Sequence, residues 1–212
     1  MVVPEKMKRG RFLFLALIGI AGMSHCGPSQ QSGPYWEMAE MHGLGPTYGY
    51  GRGAAMVDLN GDGYDDLFVA DCDSRFRADD FGVSQFFLNR GDGTFEESDL
   101  GVSMSDLEGN WAGLFGDYDN DGDPDLVLVN GGYSMKSNLV VYENQIQETG
   151  LFVEQTESLG FGALNDELHY WWGASFSDYN LDGYIDLVVT RREGTPLLFE
   201  NRGGESFVER AA

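Results

Sequence analysis

From residue 50 onward the chain alternates short apolar runs with clusters of glycine, asparagine and aspartate. Leu67-Phe68-Val69, Leu126-Val127-Leu128-Val129 and Leu187-Val188-Val189 are three such runs, each too short for a helix and flanked by turn residues. No window of about 12 residues in this region carries the 3.6-residue apolar period of an amphipathic helix. Runs of this length, bounded by Gly, Asn and Asp, read as β-strands. Asn89-Arg90-Gly91-Asp92-Gly93 and Asn201-Arg202-Gly203-Gly204 read as hairpin turns, where glycine supplies the positive φ that the turn requires.

The strand pattern repeats. DLNGDGYDD at 58–66, DYDNDGDPD at 117–125 and DYNLDGYID at 178–186 align without gaps, about 60 residues apart. Each follows a small-residue approach (Gly53-Ala54-Ala55, Trp111-Ala112-Gly113, Trp172-Gly173-Ala174) and leads directly into an apolar strand. A second landmark follows at similar distance, with Asn89, Asn144 and Asn201 equivalent and Phe95, Phe152 and Phe207 equivalent. One unit therefore reads strand, acidic loop, strand, variable loop, strand, turn, strand. Four short strands in about 60 residues make a propeller blade. The expectation is an all-β fold of three four-stranded β-propeller blades, a partial propeller.

Composition narrows the function. With 13 Lys and Arg against 35 Asp and Glu, the formal charge is −22. That charge excludes electrostatic binding to nucleic acid or anionic lipid, which needs basic patches. At 42% hydrophobic and 13% aromatic the chain is too apolar for an acidic disordered tail. Thirty glycines rule out coiled coils and helical bundles, whose interiors lose stability at each one.

The acid is concentrated in the repeated loops. Numbering each from its first Asp, positions 1, 3, 5 and 9 are Asp58, Asn60, Asp62 and Asp66 in the first loop. They are Asp117, Asp119, Asp121 and Asp125 in the second, and Asp178, Asn180, Asp182 and Asp186 in the third. Gly63, Gly122 and Gly183 hold position 6, where a tight turn lets alternate side chains converge. Tyr64, Asp123 and Tyr184 at position 7 are the candidate backbone-carbonyl donors. A hard cation takes six to eight oxygens, which such a set supplies, and calcium fits best. Zinc and copper fit poorly because no loop holds Cys or His. The EF-hand reading fails, since its Glu at position 12 is replaced by Val69, Leu128 and Val189. Asp, Asn and Gly also favour turns without any metal. Three loops in register with the same final Asp weigh toward about three calcium ions, with the four-carboxylate second loop the tightest.

These loops, and the Gly-Asp-Gly-Thr-Phe run at 91–95, resemble the FG-GAP/VCBS repeat family, whose blades occur in the integrin α-subunit propeller and in bacterial surface and secreted proteins. The resemblance covers about residues 48–212 and implies the same twelve side chains as calcium ligands. It also implies a closed propeller of about seven blades, against three units here. Open blades have unpaired edges, an association hazard, so self-association through open blade edges is expected.

The first residues read as an address. Lys6, Lys8, Arg9 and Arg11 precede an apolar run from Phe12 to Met23, then Ser24, His25 and Cys26. This is the layout of an export signal and too short for a membrane span. Cys26 sits where a bacterial lipoprotein carries its lipid, although His25 departs from that pattern. The expected organisation is 1–26 export segment, 27–47 linker, and 48–212 repeats. The expected location is the cell surface, the periplasm or the outside of the cell, with membrane contact only through a lipid at Cys26.

Catalytic motifs are absent: no G-x-S-x-G, H-E-x-x-H, C-x-x-C or phosphate loop occurs. The expectation is a non-catalytic binding or adhesion module for an unidentified protein or glycan partner. The alternative is a cell-surface carbohydrate-binding or carbohydrate-processing protein, using the aromatic run Tyr170-Trp171-Trp172 as a platform. Of these, Trp172 is expected to pack between blades and Trp171, by strand alternation, to point the opposite way. Glu37, Glu40, Glu143 and Glu200 show no evident partners and are expected to be solvated.

Overall fold

Among the described residues, twelve strands build three separate four-stranded antiparallel sheets, each with its strands in sequence order. The computed structural model describes residues 40–44, 50–72, 84–102, 110–130, 138–166 and 170–210. The basic and apolar N-terminal segment, Cys26, most of the linker, the Trp111 side chain and most of the variable loops lie outside them. Among the described residues no helix is long and apolar enough to cross a membrane.

The first blade is β1 (Tyr50–Val57), β2 (Asp66–Cys72), β3 (Gln85–Asn89) and β4 (Phe95–Ser98). The second is β5 (Asn110–Gly116), β6 (Asp125–Asn130), β7 (Leu139–Gln145) and β8 (Leu151–Glu154). The third is β9 (Trp171–Ser177), β10 (Asp186–Arg191), β11 (Leu197–Asn201) and β12 (Phe207–Arg210). Among the described residues helix is confined to a single α-turn, Ile146–Thr149, and two short 3-10 turns. The all-β expectation of three four-stranded blades holds.

Register places the acidic loops. Val57 pairs with Asp66, Gly116 with Asp125 and Ser177 with Asp186, so each loop closes the hairpin between a blade's first two strands. All three loops therefore lie at the same position in their blades.

Among the described residues, two apolar cores join the blades. One joins Leu59, Phe68 and Phe86 of the first blade to Leu126, Leu128 and Tyr142 of the second. The other joins Tyr118, Val127 and Val141 of the second to Leu187, Val189 and Phe199 of the third. Strand β6, buried on both faces, is accordingly a continuous apolar run (Leu126-Val127-Leu128-Val129). In a strand with one covered face, burial alternates with period two. In β2 Phe68 and Ala70 are buried and Leu67 and Val69 half-buried; in β10 Leu187 and Val189 are buried and Val188 half-buried. The covered parity is opposite in the two strands because β2 is covered by the blade after it and β10 by the blade before it. Gly113 marks how closely blades approach: a Cβ there would meet the Phe68 ring at 2.3 Å.

The first strand of every blade carries a bulge. Register shifts between Gly51 and Gly53, between Asn110 and Ala112, and opposite Thr190 and Arg191. The extra residues are Arg52, Trp111 and Trp172. This corrects the expectation for the tryptophans. Trp171 is buried at 2% exposure in the second core, and Trp172 is 51% exposed. Simple alternation fails because a bulge places two residues opposite one and re-aims the side chain.

Candidate metal centre

Each acidic loop is wound around its own first carboxylate. Asp58, Asp117 and Asp178 accept through Oδ1 from the amide of position 5 at 3.1 Å. Their Oδ2 atoms accept from the position 6 glycine amide at 2.8, 3.0 and 3.0 Å. At position 3 the Oδ1 atoms of Asn60, Asp119 and Asn180 accept from the same position 5 amide. At position 5 the Oδ1 atoms of Asp62, Asp121 and Asp182 accept from the amides of Tyr64, Asp123 and Tyr184, each at 2.9 Å. Three stretches of different sequence thus take one conformation. Position 6 has φ of 89°, 103° and 94°, the left-handed region that glycine occupies without strain. Position 4 is left-handed as well, in Gly61, Asn120 and Leu181.

The final Asp of each loop is a lock. Asp66, Asp125 and Asp186 are almost fully buried. Through Oδ2 each accepts from the amide of position 2: Leu59 at 2.9 Å, Tyr118 at 3.0 Å and Tyr179 at 3.1 Å. Through Oδ1 each accepts from the amide of Asn89, Asn144 or Asn201 on the third strand, at 2.8–2.9 Å. A carboxylate oxygen has two acceptor sites, so one amide bond leaves room for a cation.

In the second loop the carboxylate oxygens of Asp117, Asp119 and Asp125 come within 4.8 Å of one another. Among the described residues this is the one such gathering of three. The first and third loops have Asn at position 3 and so bring fewer carboxylates together. Burial pushes Asp125 up to about 8, opposed by its two amide bonds and reinforced by Asp119 and Asp121. Asp66, Asp119 and Asp123 are raised as well, chiefly by loss of solvation. Among the described residues the salt bridges are Arg90–Glu96, Arg202–Glu200 and Arg210–Glu200, none of which reaches a loop carboxylate. The oxygen-only donor set and the mutual repulsion fit a hard cation. Asp117, Asp119 and Asp125 could hold a metal ion, and they are the predicted residues brought closest together.

The loops also sit at the seams between blades. Asn144 Nδ2 donates to the Pro124 carbonyl in its own loop and to the Leu59 carbonyl in the first loop. Asn201 Nδ2 does the same with Ile185 and Tyr118. Asn120 Nδ2 donates to the Gly183 carbonyl, and Gln147 Nε2 to Asp123 Oδ1. The equivalence of the three asparagines was visible in the sequence, but not their bridging role.

Two glutamates expected to be solvated have partners. Glu143 accepts from Gln145 and Gln155 side chains at 2.9 and 2.7 Å. Glu200, largely buried, accepts from the Tyr179 hydroxyl at 3.0 Å and Arg210 Nε at 2.5 Å, with Arg202 Nη1 at 3.1 Å. The Arg210 bond leads in holding its carboxyl down to about 2. Both lie on the third strand of a blade, beside side chains that alignment of the loops alone does not bring into view. The side chains of Glu37 and Glu40 lie outside the described residues.

A comparison with curated proteins returns no match. The family model for the FG-GAP-like repeat matches twice, over residues 58–128 and 117–189, each time beginning at an acidic loop and ending within the following blade's second strand. With those matches spanning more than half of the sequence, and three blades of one design in the fold, the chain belongs to the FG-GAP-like repeat family.

Proposed function

We propose that this protein is an exported, calcium-binding β-propeller repeat module with a binding or adhesion role and no catalytic activity. The observation that carries the calcium reading is the shared loop conformation, with Asp117, Asp119 and Asp125 gathered within 4.8 Å. Hydrogen bonding explains the shape of each loop but leaves its negative charge uncompensated. A divalent ion offsets it, using positions 1, 3, 5 and 9 and the carbonyl of position 7. The first loop would use Asp58, Asn60, Asp62 and Asp66, and the third Asp178, Asn180, Asp182 and Asp186. Because Asn144 and Asn201 tie the first and second loops to the blade that follows each, a bound ion there also stiffens the seams. Export rests on Lys6, Lys8, Arg9 and Arg11 ahead of the apolar run Phe12 to Met23. Calorimetric titration with calcium is expected to give three sites, the tightest weakened by Asp119→Asn. A tight site untouched by that substitution contradicts the assignment.

A second reading, carbohydrate binding, is favoured by one observation: the bulge leaves Trp172 half exposed. The Arg192 guanidinium lies over the Tyr170 ring at 5.7 Å close by in sequence. Indole faces stack on sugar rings. Glycan-array binding lost on Trp172→Ala supports this reading, and an array without signal removes it.

A further inference from the structure

Among the described residues, hydrogen bonds join the second and third acidic loops at two levels, and the first and second at one. At the base of both seams a buried asparagine serves two loops. The Asn201 backbone N–H donates to Asp186 Oδ1 of the third loop at 2.8 Å, and its Nδ2 to the Tyr118 carbonyl of the second at 2.7 Å. Asn144 does the same for Asp125 and Leu59. At the loop tips the seams differ. Asn120 Nδ2, at position 4 of the second loop, donates to the Gly183 carbonyl of the third at 3.0 Å. Position 4 of the first loop is Gly61, which has no side chain to donate. The Gln147 amide stands there instead, 2.7 Å from where a Cβ would lie.

The bond at the tip falls on a peptide that shapes the third site. The Gly183 carbonyl accepts from Asn120, and the Tyr184 N–H of the same peptide donates to Asp182 Oδ1 at 2.9 Å. Asn120 therefore steadies both the position 5 carboxylate and the residue whose carbonyl is the position 7 donor. Asn120 itself lies between Asp119 and Asp121 with a φ of 64°. Gly204 of the third blade rests on the Asp119 backbone, where a Cβ would come within 2.7 Å of its Cα. We infer that the second and third loops bind calcium as a linked pair, with Asn120 the positioning residue that carries the linkage; this rests on the calcium reading above. With Asp119 and Asp121 committed to an ion, Asn120 is fixed between them and its amide stays aimed at the third loop. Part of the ordering that Asp182 and Tyr184 need is then already met, so affinity at the third loop rises, and the reverse holds equally. Charge opposes this, because filling one loop removes negative potential that attracts the next cation. At physiological salt that effect is screened beyond about 8 Å. The first loop, with Gly61 at its tip, fills independently of the pair.

NMR on the full chain in calcium-buffered solutions at physiological salt tests this. The backbone amides of Gly63, Gly122 and Gly183, each bonded to the first carboxylate of its own loop, report the three sites separately. Asn120→Gly removes the tip bond, keeps the left-handed φ that Gly61 shows at the same position and leaves the charge unchanged. It is expected to raise the calcium concentration that half-fills the third loop about fivefold, the low end of such couplings, and to leave the first loop unmoved. Asp119→Asn weakens the second loop and, with Asn120 in place, raises the Gly183 midpoint as well. Combined with Asn120→Gly it moves the Gly183 midpoint less, and the through-space effect of the lost charge cancels in the cycle. A Gly183 midpoint that ignores Asn120→Gly overturns the inference. So does an equal response of Gly183 to Asp119→Asn with and without Asn120→Gly; either result leaves the calcium reading standing. Glycine amides that ignore calcium altogether remove the calcium reading, and this inference with it.

Discussion

Asn144 donates to the carbonyl of Leu59 at 2.9 Å across the seam between the first two blades. The same amide holds Pro124 at 3.1 Å, and the Asn144 backbone holds Asp125. One side chain therefore ties two acidic loops together. Removing it strands the buried Leu59 carbonyl, and an unsatisfied buried group costs about 1–3 kcal/mol. Asn144→Ala is expected to lose about 2–3 kcal/mol in urea unfolding by that reasoning. Asn144→Asp, which cannot donate, should be no better.

Leu181 has a φ of 60° at a position filled by Gly61 and Asn120 in the other loops. It is exposed and gains little from burial. A left-handed conformation costs a branched side chain about 1–2 kcal/mol. Leu181→Asn is expected to raise the urea midpoint, by about 1 kcal/mol of stability. A midpoint that stays or falls argues against strain there.

Gly113 faces the Phe68 ring where the first two blades meet. Gly113→Ala forces that ring or the blade to shift, an overpacking cost of about 1–3 kcal/mol. Its equivalent in the third blade, Ala174, already carries a Cβ at the second seam. The penalty should show as a lower melting temperature, and a Phe68→Leu partner substitution should recover part of it.

Two carboxylates respond to pH in opposite directions. Glu200 is held down to about 2 from 4.5, so its contribution is present above about 4.5 and lost as pH falls through about 2. Glu200→Gln is expected to flatten that acid limb of the melting curve. Asp125 is raised from 3.8 to about 8, so in chelator its contribution is complete below about 4 and declines as pH rises through about 8. A bound cation reverses this preference by favouring the ionised form. Calcium affinity at the second loop should therefore be weaker at about pH 6 than at about pH 8.

Much of this was legible in the sequence because the loops repeat in register: Asp58, Asp117 and Asp178 announce themselves by spacing. The three-blade fold followed from the same spacing. Side-chain direction around Trp171 and Trp172 was not legible, because a bulge is a property of pairing with β10 and leaves no composition signal. The setting of Glu200 is hidden from the sequence for a related reason. Its partners Tyr179 and Arg210 lie on a loop and on a neighbouring strand, 21 and 10 residues away. The asparagines align as equivalent, but a bond spanning 85 residues to Leu59 depends on how blades stack.

Thermal melting of the full chain in millimolar calcium against excess chelator tests the central claim most directly. Cation-filled loops at every seam predict a single transition at clearly higher temperature in calcium, shifting with its concentration as ligand binding to the native state requires. Superimposable curves in calcium and in chelator would contradict calcium binding as the role of these loops.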